Sequence, residues 1–176
     1  MSSCRATDRP HRTFRTQAEG GFMSPADVTI RAARPKDAAA IARLSRELNE
    51  VVGDSTAHCT PENIRKTLFS ADASFHVLVA ERADGEPIGY AVWHAYYDSG
   101  HGGAGAWLAE VCVGREGRGE GAGRALFEAV VEDVRESPAT FLMWTSSETE
   151  AAEALYESSG GFAKPVRRWE LNGLDA

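Results

Sequence analysis

The chain has 176 residues, 43% of them hydrophobic and 26% charged, and a formal net charge of −7. This length predicts one domain with enough chain to bury a hydrophobic core. No apolar run approaches the ~18 residues of a membrane-spanning helix, so we expect no membrane partner. The acidic balance argues against a nucleic-acid partner and favours a cationic small molecule. Three cysteines without metal-ligand spacing predict neither a disulfide framework nor a metal site, and they fit the reducing cytoplasm.

Residues 1–24 differ in pattern from the rest of the chain. Four Arg stand there among Ser, Thr and Gly, and the scattered apolar side chains follow neither the strand period nor the helix period. No apolar segment follows the Arg residues, so the pattern is not that of a secretory signal. We expect a disordered tail or an upstream-extended start over 1–24, with Met23 as a natural initiator, and a single domain over 25–176.

From Val28 onward, strand and helix patterns alternate. A short strand at Val28 precedes a helix that Pro35 opens and a second helix that Thr60 caps. Strands from Phe75 and over 88–97 then form a hairpin.

The second half continues this alternation after a loop over 98–103, whose three glycines predict mobility. Its predicted elements are a strand, a helix, a strand, a helix and two short strands, in that order: 104–113, 121–136, 139–145, 147–158, near Phe162, and 166–171. Ser147 and Glu150 form a capping box for the last helix. The complete order, β-α-α-β-β-β-α-β-α-β-β, predicts an α/β fold with one central mixed sheet flanked by helices.

A glycine-rich turn joins the strand that ends at Val113 to the following helix. Free N–H groups and the positive end of the helix dipole form an anion site there, and glycines let phosphate oxygens approach the backbone. The Walker pattern fails, because Glu120 stands at its Lys position.

Two other phosphate-binding patterns match the sequence of this turn. The dinucleotide pattern Gly-x-Gly-x-x-Gly/Ala is met by Gly117, Gly119 and Ala122, but it follows a hairpin instead of the first strand of a βαβ unit. The pattern Arg-x-x-Gly-x-Gly is met by Arg118, Gly121 and Gly123.

Through this last pattern the sequence resembles the GNAT superfamily of N-acetyltransferases. The spacing is similar to the superfamily's pyrophosphate-binding loop for acetyl-CoA, and residues 152–162 are similar to its second signature, Ala-x-x-hydrophobic-Tyr-x-x-x-Gly-Phe. The resemblance covers about residues 28–172. It implies the GNAT fold with a splayed sheet, and a transferase that uses acetyl-CoA as donor without a metal.

The resemblance also implies roles for individual positions. Tyr156 would be the general acid that protonates the leaving thiolate. The backbone of the splayed strand and the glycine loop would hold the pantetheine arm and the pyrophosphate. The implied acetyl-CoA contacts are Val111, Cys112, Val113, Arg118, Gly119, Glu120, Gly121, Ala122, Gly123 and Arg124. The sequence departs from the pattern at Thr149, where many relatives have Asn, and by an extra glycine in Gly160–Gly161, which predicts a bulge after the helix.

At the substrate end, residues 89–98, 108–113 and 168–173 resemble the diamine (spermidine/spermine-type) acetyltransferase branch. That branch typically has an acidic pair, and here Ala109 replaces its first member. Because strand side chains alternate, Glu110 would face away from the missing acid; it is either the general base or an ion-pair partner.

Other side chains offer alternatives at this end. His94 and His101 are alternative bases, because histidine as a residue type can change charge near neutral pH. Cys112 points the same way as Glu110 and is interpreted as a core residue. Four aromatic side chains suit either cation–π contact with an ammonium or packing around the sheet: Trp93, Tyr96, Tyr97 and Trp144.

The mechanism that the resemblance implies is direct attack of a deprotonated amine on the thioester, without an acetyl-enzyme. Three functions remain open: acetylation of a primary amine of a small molecule (a polyamine, an amino acid or similar), acetylation of protein or peptide amino groups, and non-catalytic acyl-CoA binding. A loop over 98–103 that covers the cleft would favour the first. The resemblance also implies a homodimer, whose partner would cover Trp169 and Leu171.

Overall fold

The computed structural model describes residues 14–15, 28–146 and 150–165. They fall into two compact units, residues 1–145 and 146–176, which are described separately below. The helices and strands are β1 (Phe14–Arg15), β2 (Thr29–Ala32), α1 (Ala38–Val52), α2 (Pro61–Leu68), β3 (Phe75–Glu81), β4 (Pro87–Asp98), β5 (Gly103–Val113), α3 (Ala122–Arg135), β6 (Leu142–Trp144) and α4 (Glu150–Ser158). From β2 to α4 this is the predicted α/β order.

The first unit contains one sheet whose strands lie side by side in chain order. Neighbours from β1 to β5 are antiparallel, whereas β5 and β6 are parallel, so the predicted mixed sheet is confirmed. A parallel pair needs a long crossover connection, which α3 supplies. Of residues 1–24 only Phe14–Arg15 is described, and it pairs with Thr29 and Ile30; the rest of the expected tail lies outside the described residues.

Helices α1 and α3 pack on opposite faces of the sheet. Tyr90 lies on the α1 face, where its phenol oxygen is 2.8 Å from the Ser45 hydroxyl, and Trp93 lies on the α3 face, where its indole donates to Asp133. Apolar side chains from α1, β3, β4 and β5 form the core on the α1 face: Ile41, Leu44, Val77, Val79, Tyr90, Val92 and Cys112. Gly53, in the left-handed region at φ 80°, ends α1 as predicted.

The connection between β4 and β5 differs from the extended, mobile loop expected over 98–103. β4 continues to Asp98, a single 3₁₀ turn spans Ser99–His101, and β5 begins at Gly103. The Asp98 carboxylate accepts the Gly100 N–H at 2.7 Å, and Gly102 and Gly103 take left-handed φ angles, which closes the hairpin tightly. The connection is therefore a single turn, and the option of a long loop that covers the cleft finds no support in it.

In the second unit, α4 ends at the two consecutive glycines. Gly160 has φ 85°, its N–H donates to Glu157 C=O, and the Gly161 N–H donates to Tyr156 C=O, which is a Schellman motif. The extra glycine thus serves the helix end instead of forming a bulge. The prediction of a strand near Phe162 is wrong, because residues 161–165 have no regular structure and Phe162 is exposed. Ser147 of the capping box, Thr149 and the strand predicted over 166–171 lie outside the described residues.

Candidate active site

The turn between β5 and α3 contains two glycines in the left-handed region. Gly119 has φ 82° and Gly121 has φ 79°, a conformation that residues with a Cβ adopt only with strain. A short 3₁₀ turn over Arg115–Gly117 precedes them, and α3 begins directly after Gly121. Gly121 of the Arg-x-x-Gly-x-Gly pattern is therefore required by backbone geometry as well as by phosphate approach.

This turn presents unused hydrogen-bond donors. No side chain caps α3 at Gly121, and no protein acceptor is found among the described residues for the N–H groups of residues 119–123. The Arg118 side chain is exposed and has no ion pair within the described part of the chain. Converging N–H groups at a helix N-terminus beside a cation fit a diphosphate. Arg124 points along the helix, 3.8 Å from Glu128.

Two charged side chains that no sequence motif indicated hold this turn. Arg82 Nη2 donates to the Glu116 C=O at 2.6 Å and lies 2.5 Å from Glu120 Oε1, while its Nε lies 3.2 Å from Glu120 Oε2. On the other side, the Glu47 carboxylate accepts the Arg115 N–H at 3.0 Å. The hydrogen bonds from Arg82 lower the pKa of Glu120, so this carboxylate stays ionised. The Glu120 side chain thus binds Arg82, and only its backbone is left for a ligand.

The first two glycines of the turn have a packing role. A Cβ on Gly114 would lie 2.7 Å from Leu44 Cδ2, and one on Gly117 would lie 2.9 Å from Ile88 Cβ. Gly117 is buried, although the dinucleotide pattern counts it as a phosphate-binding glycine. A glycine is needed at position 117 because the turn packs closely against β4 there.

The edge of β5 is only partly covered by β6. The two strands pair from Ala106–Leu142 to Leu108–Trp144, and β5 continues beyond this point to Val113. Main-chain groups of residues 109–113 therefore extend past β6 on that side, as the predicted splay requires. An extended pantetheine arm can pair with such an edge in the manner of an added strand.

A β-bulge lies at the same place in β5. Val92 pairs with Glu110 but Trp93 pairs with Leu108, so Ala109 is an extra residue. Because directly paired residues share a face, Leu108 lies on the α3 face and Glu110 on the α1 face. The bulge thus puts Leu108 and Glu110 on opposite faces of the sheet, whereas residues two apart in a regular strand share a face.

Glu110 ends a chain of hydrogen bonds that begins inside the protein. The Tyr90 hydroxyl donates to Glu110 Oε2 at 2.5 Å and also contacts the Ser45 hydroxyl at 2.8 Å. Tyr90 is fully buried and Ser45 is buried, whereas Glu110 is half-buried. Burial raises the pKa of Tyr90, and the charge of Glu110 raises it further, so the phenol remains a neutral donor. Glu110 has no ion pair within residues 28–146, so the ion-pair alternative finds no support there.

The other candidate residues have local contacts. His94 Nδ1 lies 2.8 Å from the Ala95 C=O, and His101 Nδ1 lies 3.3 Å from Asp98 Oδ1. Cys112 is buried, and its thiol donates to the Leu44 C=O. Burial, together with the Glu110 charge, raises the pKa of Cys112 to about 12, so the thiol is protonated at neutral pH and is a core residue.

The four aromatic side chains do not form a common wall. Trp93 is buried and stacks on His76, Trp144 packs against Phe127, and Tyr96 packs against Trp107. Tyr97 is 73% exposed. Packing around the sheet therefore accounts for three of the four.

Tyr156 lies in α4 of the second unit and is half-buried. Burial raises the pKa of its phenol, which therefore keeps its proton at neutral pH. A protonated phenol meets one requirement for a general acid, and the role of Tyr156 itself stays a prediction.

Comparisons with known proteins agree with this geometry. The model of the acetyltransferase (GNAT) family matches residues 40–162. One similar solved structure is a ribosomal-protein-alanine N-acetyltransferase from Brucella melitensis, with 19% identity and a TM-score of 0.65 over 83% of this chain and 99% of that one. Another is a possible acetyltransferase from Clostridium difficile, with 18% identity and a TM-score of 0.68 over 84% of this chain and 98% of that one. An aminoglycoside acetyltransferase from an uncultured soil sample, in complex with sisomicin, is also similar, with 15% identity and a TM-score of 0.66 over 83% of this chain and 97% of that one. At these identities the likenesses show the fold alone. A comparison with curated proteins found no match.

An α/β fold, a strand edge that extends beyond β6 and a glycine turn at a helix N-terminus together fit an acyl-CoA-dependent transferase. The chain belongs to the GNAT family of acetyltransferases. It is an enzyme that uses acetyl-CoA as donor. Within the described ranges, no group of three or more His, Cys, Asp or Glu could hold a metal ion, and no helix is long and apolar enough to cross a membrane.

Proposed function

We propose that this enzyme acetylates a primary amine of a small molecule, with Glu110 as the general base. The observation that carries the proposal is the position of Glu110: it lies at the bulge in β5, next to the uncovered strand edge, and is oriented by the buried Tyr90 hydroxyl. A half-buried carboxylate without an ion pair in the first unit can accept a proton from an ammonium group. The net charge of −7 favours the approach of a cationic acceptor.

The donor site in this proposal consists of the glycine turn and the edge of β5 that extends beyond β6. The N–H groups of residues 119–123, with Arg118 beside them, would hold the diphosphate, and the backbone of residues 111–113 would hold the pantetheine arm. When bound, acetyl-CoA supplies the acetyl group as a thioester with a thiol leaving group. Glu110 would take the proton from the amine, and Tyr156 would give a proton to the departing sulfur.

Candidate acceptors follow from the resemblance to the diamine branch and from two of the similar structures. Polyamines and aminoglycosides present several primary amines, whereas the ribosomal-protein-alanine enzyme acts on a protein. The absence of a long 98–103 loop removes one argument for a small acceptor. The choice between small amines and protein amino groups therefore needs a direct test.

The test is an acetyl-CoA assay over a panel of polyamines, aminoglycosides, amino acids and peptides, with detection of the released thiol. We expect turnover of small amines, and a fall in kcat of about 10²–10⁴-fold for Glu110→Gln. Glu132→Gln, which removes a half-buried carboxylate of α3, is the matched control. Turnover of peptides alone would identify a protein acetyltransferase, and CoA binding without any turnover would identify a binding module. Full activity of Glu110→Gln would exclude this base.

We also propose a cytoplasmic homodimer. The sequence argument for a covered face rests on Trp169 and Leu171, which lie outside the described residues. Light scattering is the measurement, and a species of 19.0 kDa would exclude the dimer.

A further inference from the structure

Glu120 places a carboxylate inside a turn whose free N–H groups suit an anion. The corresponding position of a Walker loop holds a Lys, which attracts phosphate. An unpaired carboxylate there would repel a diphosphate, because two negative charges a few ångströms apart cost free energy at any protein dielectric. The turn therefore needs a partner for Glu120 if it is to bind CoA.

Arg82 supplies that partner from the turn between β3 and β4. Its guanidinium contacts both Glu120 oxygens, at 2.5 and 3.2 Å, and donates to the Glu116 C=O. Both side chains are mostly covered, with 30% of Arg82 and 22% of Glu120 exposed. A bidentate ion pair of this kind fixes the orientation of the two side chains and neutralises their charges.

The backbone of Arg82 is itself held in place. Its N–H donates to the Glu86 C=O at 3.0 Å, and its C=O accepts the Gly85 N–H at 2.8 Å. The guanidinium therefore projects from a fixed turn toward the 116–120 segment.

We propose that Arg82 is a positioning residue for acetyl-CoA: it neutralises Glu120, draws its carboxylate away from the donors of the turn, and so makes the turn able to accept a diphosphate. The inference rests on the proposed function in one respect, namely that this turn is the diphosphate site.

The first experiment measures coenzyme A binding by calorimetry. Arg82→Gln should weaken CoA about tenfold, since it leaves the carboxylate unpaired, and Glu120→Gln alone should stay within about twofold of the wild type. The double variant should regain most of the affinity, because no carboxylate remains to repel the ligand. Arg82→Lys keeps the charge but loses the bidentate contact, so its affinity should lie between those of Arg82→Gln and the wild type.

Arg135→Gln is the matched control for the loss of one positive charge. Arg135 is exposed at the far end of α3, where it contacts Glu132 at 3.6 Å, and it should not affect binding. A double variant as weak as Arg82→Gln would overturn the neutralisation role.

The second experiment compares two acetyl donors. S-acetylpantetheine lacks the diphosphate, so Arg82→Gln should leave kcat/KM for this donor unchanged while lowering it for acetyl-CoA. Equal losses with both donors would overturn the proposal, because a general structural defect does not distinguish them. Wild-type protein that does not bind CoA would overturn the proposed site together with this inference. Equal binding by wild type and Arg82→Gln would overturn the inference alone.

Discussion

Tyr90 is a polar side chain at a fully buried position of β4, next to α1. Its hydroxyl is satisfied on both sides, by Ser45 and by Glu110, so burial of the phenol costs little. The Tyr90 hydroxyl also binds one oxygen of the Glu110 carboxylate and so favours one orientation of that side chain. The residue thus links the core to the proposed base.

Tyr90→Phe tests this link. Loss of the hydroxyl leaves Ser45 and Glu110 without their shared partner, so we expect kcat/KM to fall about tenfold and stability to fall by about 1–3 kcal/mol. Steady-state kinetics and denaturant unfolding measure the two effects. Tyr97→Phe, on an exposed phenol, is the control. An unchanged kcat/KM with reduced stability would make Tyr90 a purely structural residue.

Tyr156→Phe tests the predicted general acid. The ring is kept, so packing and CoA binding should change little, while the thiolate loses its proton donor. A thiol has an ordinary pKa of ~8.5, so the leaving thiolate needs an acid only moderately at neutral pH. We therefore expect kcat to fall about 10²-fold. The KM for acetyl-CoA should stay the same. Equal kcat values for variant and wild type would show that Tyr156 only packs.

At the scale of elements, the glycine turn combines two kinds of glycine that look alike in the sequence. Gly114 and Gly117 allow the turn to approach Leu44 and Ile88, whereas Gly121 has a left-handed backbone and open space around it. A side chain at Gly114 or Gly117 should therefore clash with its neighbours, whereas a side chain at Gly121 should strain the backbone.

Gly121→Ala should weaken CoA binding at least tenfold, because a Cβ at this position restricts phosphate approach and strains the backbone. Gly53→Ala is a matched control: Gly53 also has a left-handed φ and open surroundings, but it ends α1. Calorimetry and thermal unfolding should show similar stability losses of about 1–2 kcal/mol for both variants, and weaker binding for Gly121→Ala alone. Weaker binding in both would mean that the effect is one of stability.

The alternating patterns from Val28 to α4 were sufficient to predict the order of strands and helices, because each element has a strong period and clear end signals. The glycine spacing also identified the turn at the start of α3. The tight 98–103 connection was missed, since three glycines indicate a turn but do not give its length. The bulge at Ala109 has no signal of its own in the sequence, because it depends on how two strands pair.

The sequence did not indicate the side chains that hold the glycine turn in place, for a related reason. Arg82 and Glu47 lie 38 and 68 positions before the residues that they contact, and each stands in the sequence as an ordinary surface charge. Long-range pairing of this kind is decided by the fold, so no local spacing reveals it.

At the scale of the whole molecule, one buried charge network joins the start of the chain's first helix to two strands. The Asp37 carboxylate is 4% exposed; it accepts from Arg31 at 2.8 and 3.0 Å and from the Arg34 N–H at 2.7 Å. Arg31 also contacts Glu81 at the end of β3. Burial acts to raise the pKa of Asp37, but the hydrogen bonds and charge of Arg31 and the Arg34 N–H lower it overall.

This lowered pKa predicts how stability depends on pH. The stabilisation is complete above the unfolded pKa of about 3.9 and is lost as the pH falls through the lower folded value. We expect the free energy of unfolding to fall below about pH 4, and Asp37→Asn to cost about 3 kcal/mol at pH 7 while removing part of that acid dependence. Denaturant titrations between pH 2 and 7 measure both, with the exposed Asp72→Asn as control. Parallel acid profiles for wild type and Asp37→Asn would contradict the prediction.

The contacts of Arg82 and Glu47 also bear on protein engineering. Transplanting residues 114–124 into another α/β scaffold would carry over the glycines and Arg118, but it would leave behind the guanidinium and the carboxylate that hold the segment. The smallest transferable unit is the segment together with the β3–β4 turn and the middle of α1. A designer who moves only the motif would obtain a flexible glycine loop with an unpaired Glu120, and the grafted protein would match the motif without binding the nucleotide.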